Sequence, residues 1–111
     1  MSVAKPLPHE SARLHVTGAA RYTDDIPAPA GCLHLAFGTA EIAHGTLDAL
    51  DVSAVRAAPG VVAVLTPYDF DPMPDCSPSL HDEPLLCTGT IHYAGQPLYI
   101  VIADNHLNAR R

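Results

Sequence analysis

The chain has 111 residues, a length that fits one small domain with a single core and leaves no room for a deep cavity around a large cofactor. Hydrophobic residues are 48% and charged residues 16%, a globular rather than a disordered composition. The formal net charge of −6 with only six Lys and Arg argues against a nucleic-acid partner, which requires clustered cations, and no apolar run reaches membrane-spanning length.

In chain order, Pro6 and Pro8 disfavour an early helix, so residues 1–17, and 1–12 above all, read as extended and irregular. Met1 opens no apolar leader, and a cytoplasmic location is expected. Gly18 to Ile26 reads as a short strand ending in a turn at Asp24-Asp25, followed by a Pro27/Pro29/Gly31 loop. Leu33, Leu35 and Phe37 alternate with His34 and Ala36, the period of a strand with one buried face. A second strand is expected around His44 to Leu50. Asp51 to Ala58 follows as a short helix capped by Asp51 or Ser53, with Val52 and Val55 on one face and Pro59-Gly60 ending it.

Val61 to Thr66 is an apolar run of the kind covered on both faces, and a helical turn is expected at Tyr68 to Phe70. Residues 71–84 hold prolines 72, 74, 78 and 84 and no periodicity, which predicts a long loop. Leu85-Leu86 and Thr90 to Tyr93 suggest a hairpin, and Gly95-Gln96-Pro97 a turn. Leu98 to Ala103 is a second fully apolar strand, and the two apolar strands are expected at the centre of the sheet. Asp104 or Asn105 then caps a helix that has made less than two turns at Arg111, as if the chain stopped at an expression boundary or a truncation.

The chemistry-bearing residues form no familiar pattern. Cys32, Cys76 and Cys87 are an odd count and read as reduced thiols. Cys32 and His34 would share one side of a strand, and Cys76, His81, Cys87 and His92 could complete a zinc site only through the fold; neither Cys-x-x-Cys nor His-x-x-x-His occurs. No local signature supports a thiol nucleophile. Asp24-Asp25 and Asp69, Asp71 and Asp75 read as turn formers, since a calcium loop's glycine and terminal glutamate are missing. The dispersed glycines make neither a GxGxxG nor a Walker sequence. No catalytic, cofactor-binding or metal-ligating residue is therefore assigned. Two other classes stay open: a stand-alone acidic binding module, and a small metal-binding protein using Cys32, His34 and other His and Cys residues.

The order of the segments carries a resemblance. Leu14-His-Val-Thr-Gly18-Ala-Ala-Arg-Tyr22-Thr-Asp24-Asp25-Ile26-Pro resembles the entry into the molybdenum-binding large subunits of the xanthine dehydrogenase and aldehyde oxidase family. Leu33 to Phe37, Ala43-His44-Gly45, Leu50-Asp51, the Ala54 to Thr66 stretch with Pro59-Gly60-Val, and Tyr93-Ala-Gly95-Gln96-Pro97 with the apolar strand behind it are similar to the family's following segments, in order. The strongest likeness is to the separate molybdopterin-binding subunit of the bacterial enzymes, whose start is similar to Lys5-Pro-Leu-Pro-His-Glu-Ser-Ala-Arg and implies that Met1 is a native start.

This resemblance implies an α+β fold, the α/β hammerhead, with a mixed β-sheet and about two short helices in a single domain over residues 1–111. It implies a non-catalytic amino-terminal domain of a subunit that hydroxylates xanthine or hypoxanthine, passing electrons through Fe-S and FAD to NAD. Molybdenum–molybdopterin would lie in the intact subunit and none of the cofactors here. The partners implied are the remainder of the chain and an iron–sulfur/FAD subunit, with no nucleic acid and no membrane.

Overall fold

The computed structural model describes residues 4–111, so the reading of Met1 as a native start lies outside the described residues. Two compact units divide the chain, residues 1–30 and residues 31–111.

Within the first unit the expected extended segment contains a helix, α1, Ala12–Val16. Pro8 lies upstream of its first turn, so neither proline ring meets the helical backbone. The amides of Ala19 and Ala20 both donate to the Leu14 carbonyl, at 2.9 and 3.0 Å, and Gly18 adopts φ +70° at this turn. These bonds take up the donors that a strand at Gly18 to Tyr22 would have spent on a neighbour, and no strand forms there. The turn expected at Asp24-Asp25 is present as one turn of 3₁₀-helix, Thr23–Asp25.

The second unit contains β1 (His34–Thr39), β2 (Gly45–Thr46), α2 (Ser53–Arg56), β3 (Val61–Leu65), β4 (Thr90–Ile91), β5 (Pro97–Ala103) and α3 (His106–Arg110). The α+β class stands, with three short α-helices among the described residues, one more than expected. The strand sense differs from expectation. β1 and β3 both run antiparallel to β5, and β2 runs antiparallel to β4, so every pairing among the described strands is antiparallel rather than mixed.

The sheet order β1-β5-β3 corrects a second expectation: only Leu98 to Ala103 is central, and Val61 to Leu65 forms an edge. The register breaks between Val61 and Ala63, and Val62 at this irregularity is exposed. An apolar run can thus be half-covered when a bulge turns one residue outward.

The remaining elements follow their local chemistry. Asp51 Oδ1 accepts from the Ser53 amide at 2.9 Å at the start of α2, and Gly60 closes that turn with φ +81°. Asn105 caps α3, its Oδ1 accepting from the Asn108 amide at 2.9 Å. Pro67–Asp69 is a 3₁₀ turn, one residue earlier than expected, tied by Asp69 Oδ2 to the Thr66 amide and hydroxyl at 2.6 and 2.8 Å. The expected strand at His44 to Leu50 shrinks to two residues that pair with β4, and β4 is therefore not hairpinned to Leu85-Leu86.

Leu86 and Cys87 instead point into the core. Leu86 is fully buried, and Cys87 packs with Ala40 and Ile91 against Leu47 and Leu98. The Cys87 amide donates to the Pro97 carbonyl at 2.8 Å, which locks this segment beside the start of β5. The proline-rich stretch closes on itself: Cys76 donates to Glu83, Leu85 donates to Pro74, and Ser77 Oγ accepts from the Asp82 and Glu83 amides.

Candidate functional site

The strand registers sort the second unit's side chains onto two faces. Ala36, Gly38, Tyr99, Val101 and Val64 share one face, because directly opposed residues in an antiparallel pair point the same way. This face carries the helices. A Cβ placed on Gly60 would meet Asn108 Nδ2 at 2.1 Å and Asp104 Oδ1 at 2.6 Å, and one placed on Gly38 would meet the Tyr99 ring at 2.0 Å. An open cleft of about 710 Å³ lies here, walled by Val55, Ala58, Val61, Tyr99, Val101 and Ala109.

Leu35 and Phe37 belong to the opposite face, with Ile100, Ile102, Ala63 and Leu65. Cover on this face is uneven. Ile100 is only 5% exposed, whereas Leu35 is 53% and Phe37 46% exposed. The expectation that Leu33, Leu35 and Phe37 make a buried face is thus corrected: over β1 that face lies open, and the alternate residues His34, Ala36 and Gly38 are the more covered. Leu33, two residues before Leu35, is 47% exposed as well. Side chains of this size left in water over one strand mark a surface that gains free energy when covered.

The titratable residues singled out by sequence are dispersed. Among the described residues no three His, Cys, Asp or Glu side chains gather in a ligand-like group. Cys32 and Cys76 are exposed and Cys87 is buried. Asp25 Oδ2 accepts from the Tyr22 amide at 2.9 Å, as a turn former does. Asp75 accepts from the Ser77 amide and pairs with His81.

Local hydrogen bonds hold three carboxyls below the usual range. The Thr66 amide and then its hydroxyl act on Asp69, the Ser53 hydroxyl and amide on Asp51, and the Ser77 hydroxyl and amide on Asp75, with His81 adding to the last. All three serve turns or helix starts. The structure also brings histidines together in pairs that linear spacing hides: His44 with His92, ring centroids 6.3 Å apart, and His34 with His106, 6.2 Å apart.

The buried polar groups are spent within the fold. Among the described residues Thr66 and Gln96 are the buried polar ones; Thr66 is bound to Asp69, and Gln96 Oε1 accepts from the His92 amide at 2.7 Å. Among the described residues no buried side-chain N or O atom lacks a partner. Among the described residues, no helix is long and apolar enough to cross a membrane.

Comparison with known proteins places this geometry. Residues 17–111 match the family model described as "Aldehyde oxidase and xanthine dehydrogenase, a/b hammerhead domain". Xanthine dehydrogenase 1 of Arabidopsis thaliana is 37% identical over 109 residues, which cover 98% of this chain and 8% of that protein. The aldehyde oxidoreductase of Desulfovibrio desulfuricans superposes with a TM-score of 0.76 at 31% identity, over 94% of this chain and 13% of that one. A Cu,Mo-CO dehydrogenase superposes with a TM-score of 0.74 at 27% identity, over 91% and 13%. The chain thus spans about 8% of the length of the curated relatives it matches.

Proposed function

Because the chain belongs to the aldehyde oxidase and xanthine dehydrogenase a/b hammerhead family, we propose that it is a structural domain of a molybdenum hydroxylase subunit, with residues 1–111 acting as one amino-terminal domain. Its work is packing. The observation that carries the reading is the open apolar surface over β1, where Leu33, Leu35 and Phe37 wait for a neighbour that the remainder of the chain supplies.

The proposal extends to the intact protein. It hydroxylates a purine carbon, xanthine or hypoxanthine, with oxygen from water. Electrons leave through iron–sulfur clusters and FAD, held on a partner subunit, to NAD. The molybdopterin and the catalytic residues belong to the remainder of the subunit, and the enzyme is cytoplasmic. Likeness to xanthine dehydrogenases supports a purine substrate, while aldehyde oxidases are as similar, 37% identical in one case, so the choice rests on assaying the intact enzyme with both substrate classes. The share of those relatives that the chain spans, together with the spent buried polar groups, supports a domain that does no chemistry alone.

Two measurements test this. The purified chain, given xanthine and NAD, should show no turnover and retain no molybdopterin; either activity overturns the reading. In the full-length protein, Leu35→Lys with Phe37→Glu should lower the molybdenum content of the purified enzyme. Full content and full activity with that surface charged would remove the packing role.

A further inference from the structure

We infer that His44 and His92 form a two-histidine clamp for a divalent first-row transition cation, bridging the ends of β2 and β4. Antiparallel β2 and β4 pair Gly45 with Ile91 and Thr46 with Thr90. One step further along the same ladder sets His44 opposite His92. Directly opposed residues hold their Cβ atoms roughly 4.5–5.5 Å apart. The two rings meet with centroids 6.3 Å apart and planes at 88°. Both residues are exposed.

The backbone beneath the pair is fixed. The His92 amide donates to Gln96 Oε1 at 2.7 Å, and Gln96 is 5% exposed. The Ala40 amide donates to the Gln96 carbonyl at 2.9 Å, and the Gly95 amide returns to the Ala40 carbonyl at 2.8 Å. Ile91, directly before His92, sits in the core with Cys87 and Ala40. The β4 end is therefore held, the β2 end is tied to it by the Gly45/Ile91 pairing and by the Leu47 amide donating to the Gly89 carbonyl at 2.7 Å, and side-chain rotations are what bring the observed rings onto a shared ion. Metal–nitrogen bonds of about 2.0–2.1 Å need the rings to close slightly, which exposed rotamers can do. Imidazole suits nickel, copper and zinc, and two such ligands leave the other positions to water.

The other histidine pairs are worse placed. In the His9/His15 pair, His9 Nδ1 accepts from the Ser11 amide at 3.1 Å, and His15 Nδ1 lies 3.4 Å from the Tyr22 hydroxyl. His34 is half-buried, and His106 approaches it from a helix rather than along a shared ladder. Among the described residues neither ring of His44 nor of His92 takes part in a hydrogen bond, so their nitrogens are unspent.

The test uses Ni²⁺ alone, titrated into the 111-residue chain by calorimetry at neutral pH with the thiols reduced. One equivalent should bind, and the melting temperature should rise with added Ni²⁺ as it does for any ligand selective for the folded state. Losing even a supporting partner of a metal ligand typically weakens affinity about 10–100-fold. His44→Gln and His92→Gln should each weaken binding at least that much and abolish the thermal shift, with circular dichroism unchanged. His34→Gln and His81→Gln should leave both readouts intact. Absence of binding in the parent chain, or binding that survives both His44→Gln and His92→Gln, overturns the clamp. So does binding lost instead with His34→Gln or Cys32→Ser.

Discussion

Gly60→Ala isolates two costs that the structure superimposes at one atom. Gly60 has φ +81°, in the left-handed region where a Cβ costs roughly 1–2 kcal/mol. The added methyl would also lie 2.1 Å from Asn108 Nδ2 and 2.6 Å from Asp104 Oδ1. Asn108 is not free to swing aside without loss, because its Nδ2 donates to Asp104 Oδ1 at 2.8 Å and its amide is the donor that Asn105 caps. Overpacking of this kind costs about 1–3 kcal/mol. The two together come to about 2–5 kcal/mol, and at roughly 4–8 °C per kcal/mol for a domain of this size the melting temperature should fall by about 10 °C or more.

Thermal unfolding followed by circular dichroism measures the fall. A double variant, Gly60→Ala with Asn108→Ala, separates the terms. The second change makes room for the methyl, so the pair should be less destabilised than the sum of the singles, leaving chiefly the backbone term. A Gly60→Ala chain that melts with the parent would falsify both the φ assignment and the packing of α3 against this turn. Strict additivity would remove the steric half alone.

Other expectations concern the core, the open surface and acid. Leu86 is fully buried, so Leu86→Ala should cost about 2–5 kcal/mol in chemical denaturation, and a loss below about 1 kcal/mol would contradict its place in the core. Phe37→Glu, on the uncovered side of β1, should leave the melting temperature within a few degrees of the parent while reducing binding of an apolar dye; a large destabilisation would mean that the ring is already covered. Asp51, Asp69 and Asp75 have carboxyls lowered in the folded chain, so their contribution is present above the unfolded value of about 4 and is lost as pH falls through the folded values. Stability should therefore fall below about pH 4, and Asp69→Asn should flatten that fall; an unchanged acid profile in Asp69→Asn would count against the Thr66 cap.

What could be read from the sequence was whatever is local. The alternation of Leu33, Leu35 and Phe37 marked β1, the unbroken apolar run marked β5, and Asn105 announced the start of α3. The two apolar runs could not be ranked, because Val61 to Leu65 and Leu98 to Ala103 are both unbroken stretches of hydrophobic residues. Which one lies between two partners is decided by register and by the irregularity at Val62, neither of which is a property of either segment. Strand sense fails for the same reason. β2 and β4 are two residues each, too short for any period, and α1 at five residues shows no amphipathic pattern. The His44/His92 pair is invisible for a related reason: it exists only once β2 has found β4.

The burial of one thiol among three gives the domain an internal clock. Cys32 and Cys76 are open to reagent, while Cys87 sits 1% exposed with its Sγ directed at the Thr90 carbonyl. A thiol-specific label should react with two groups at once and with the third only when the segment leading into β4 lifts from its neighbours. The rate of that last modification, read against denaturant, reports how often the centre of the fold opens and whether it opens alone or with the whole.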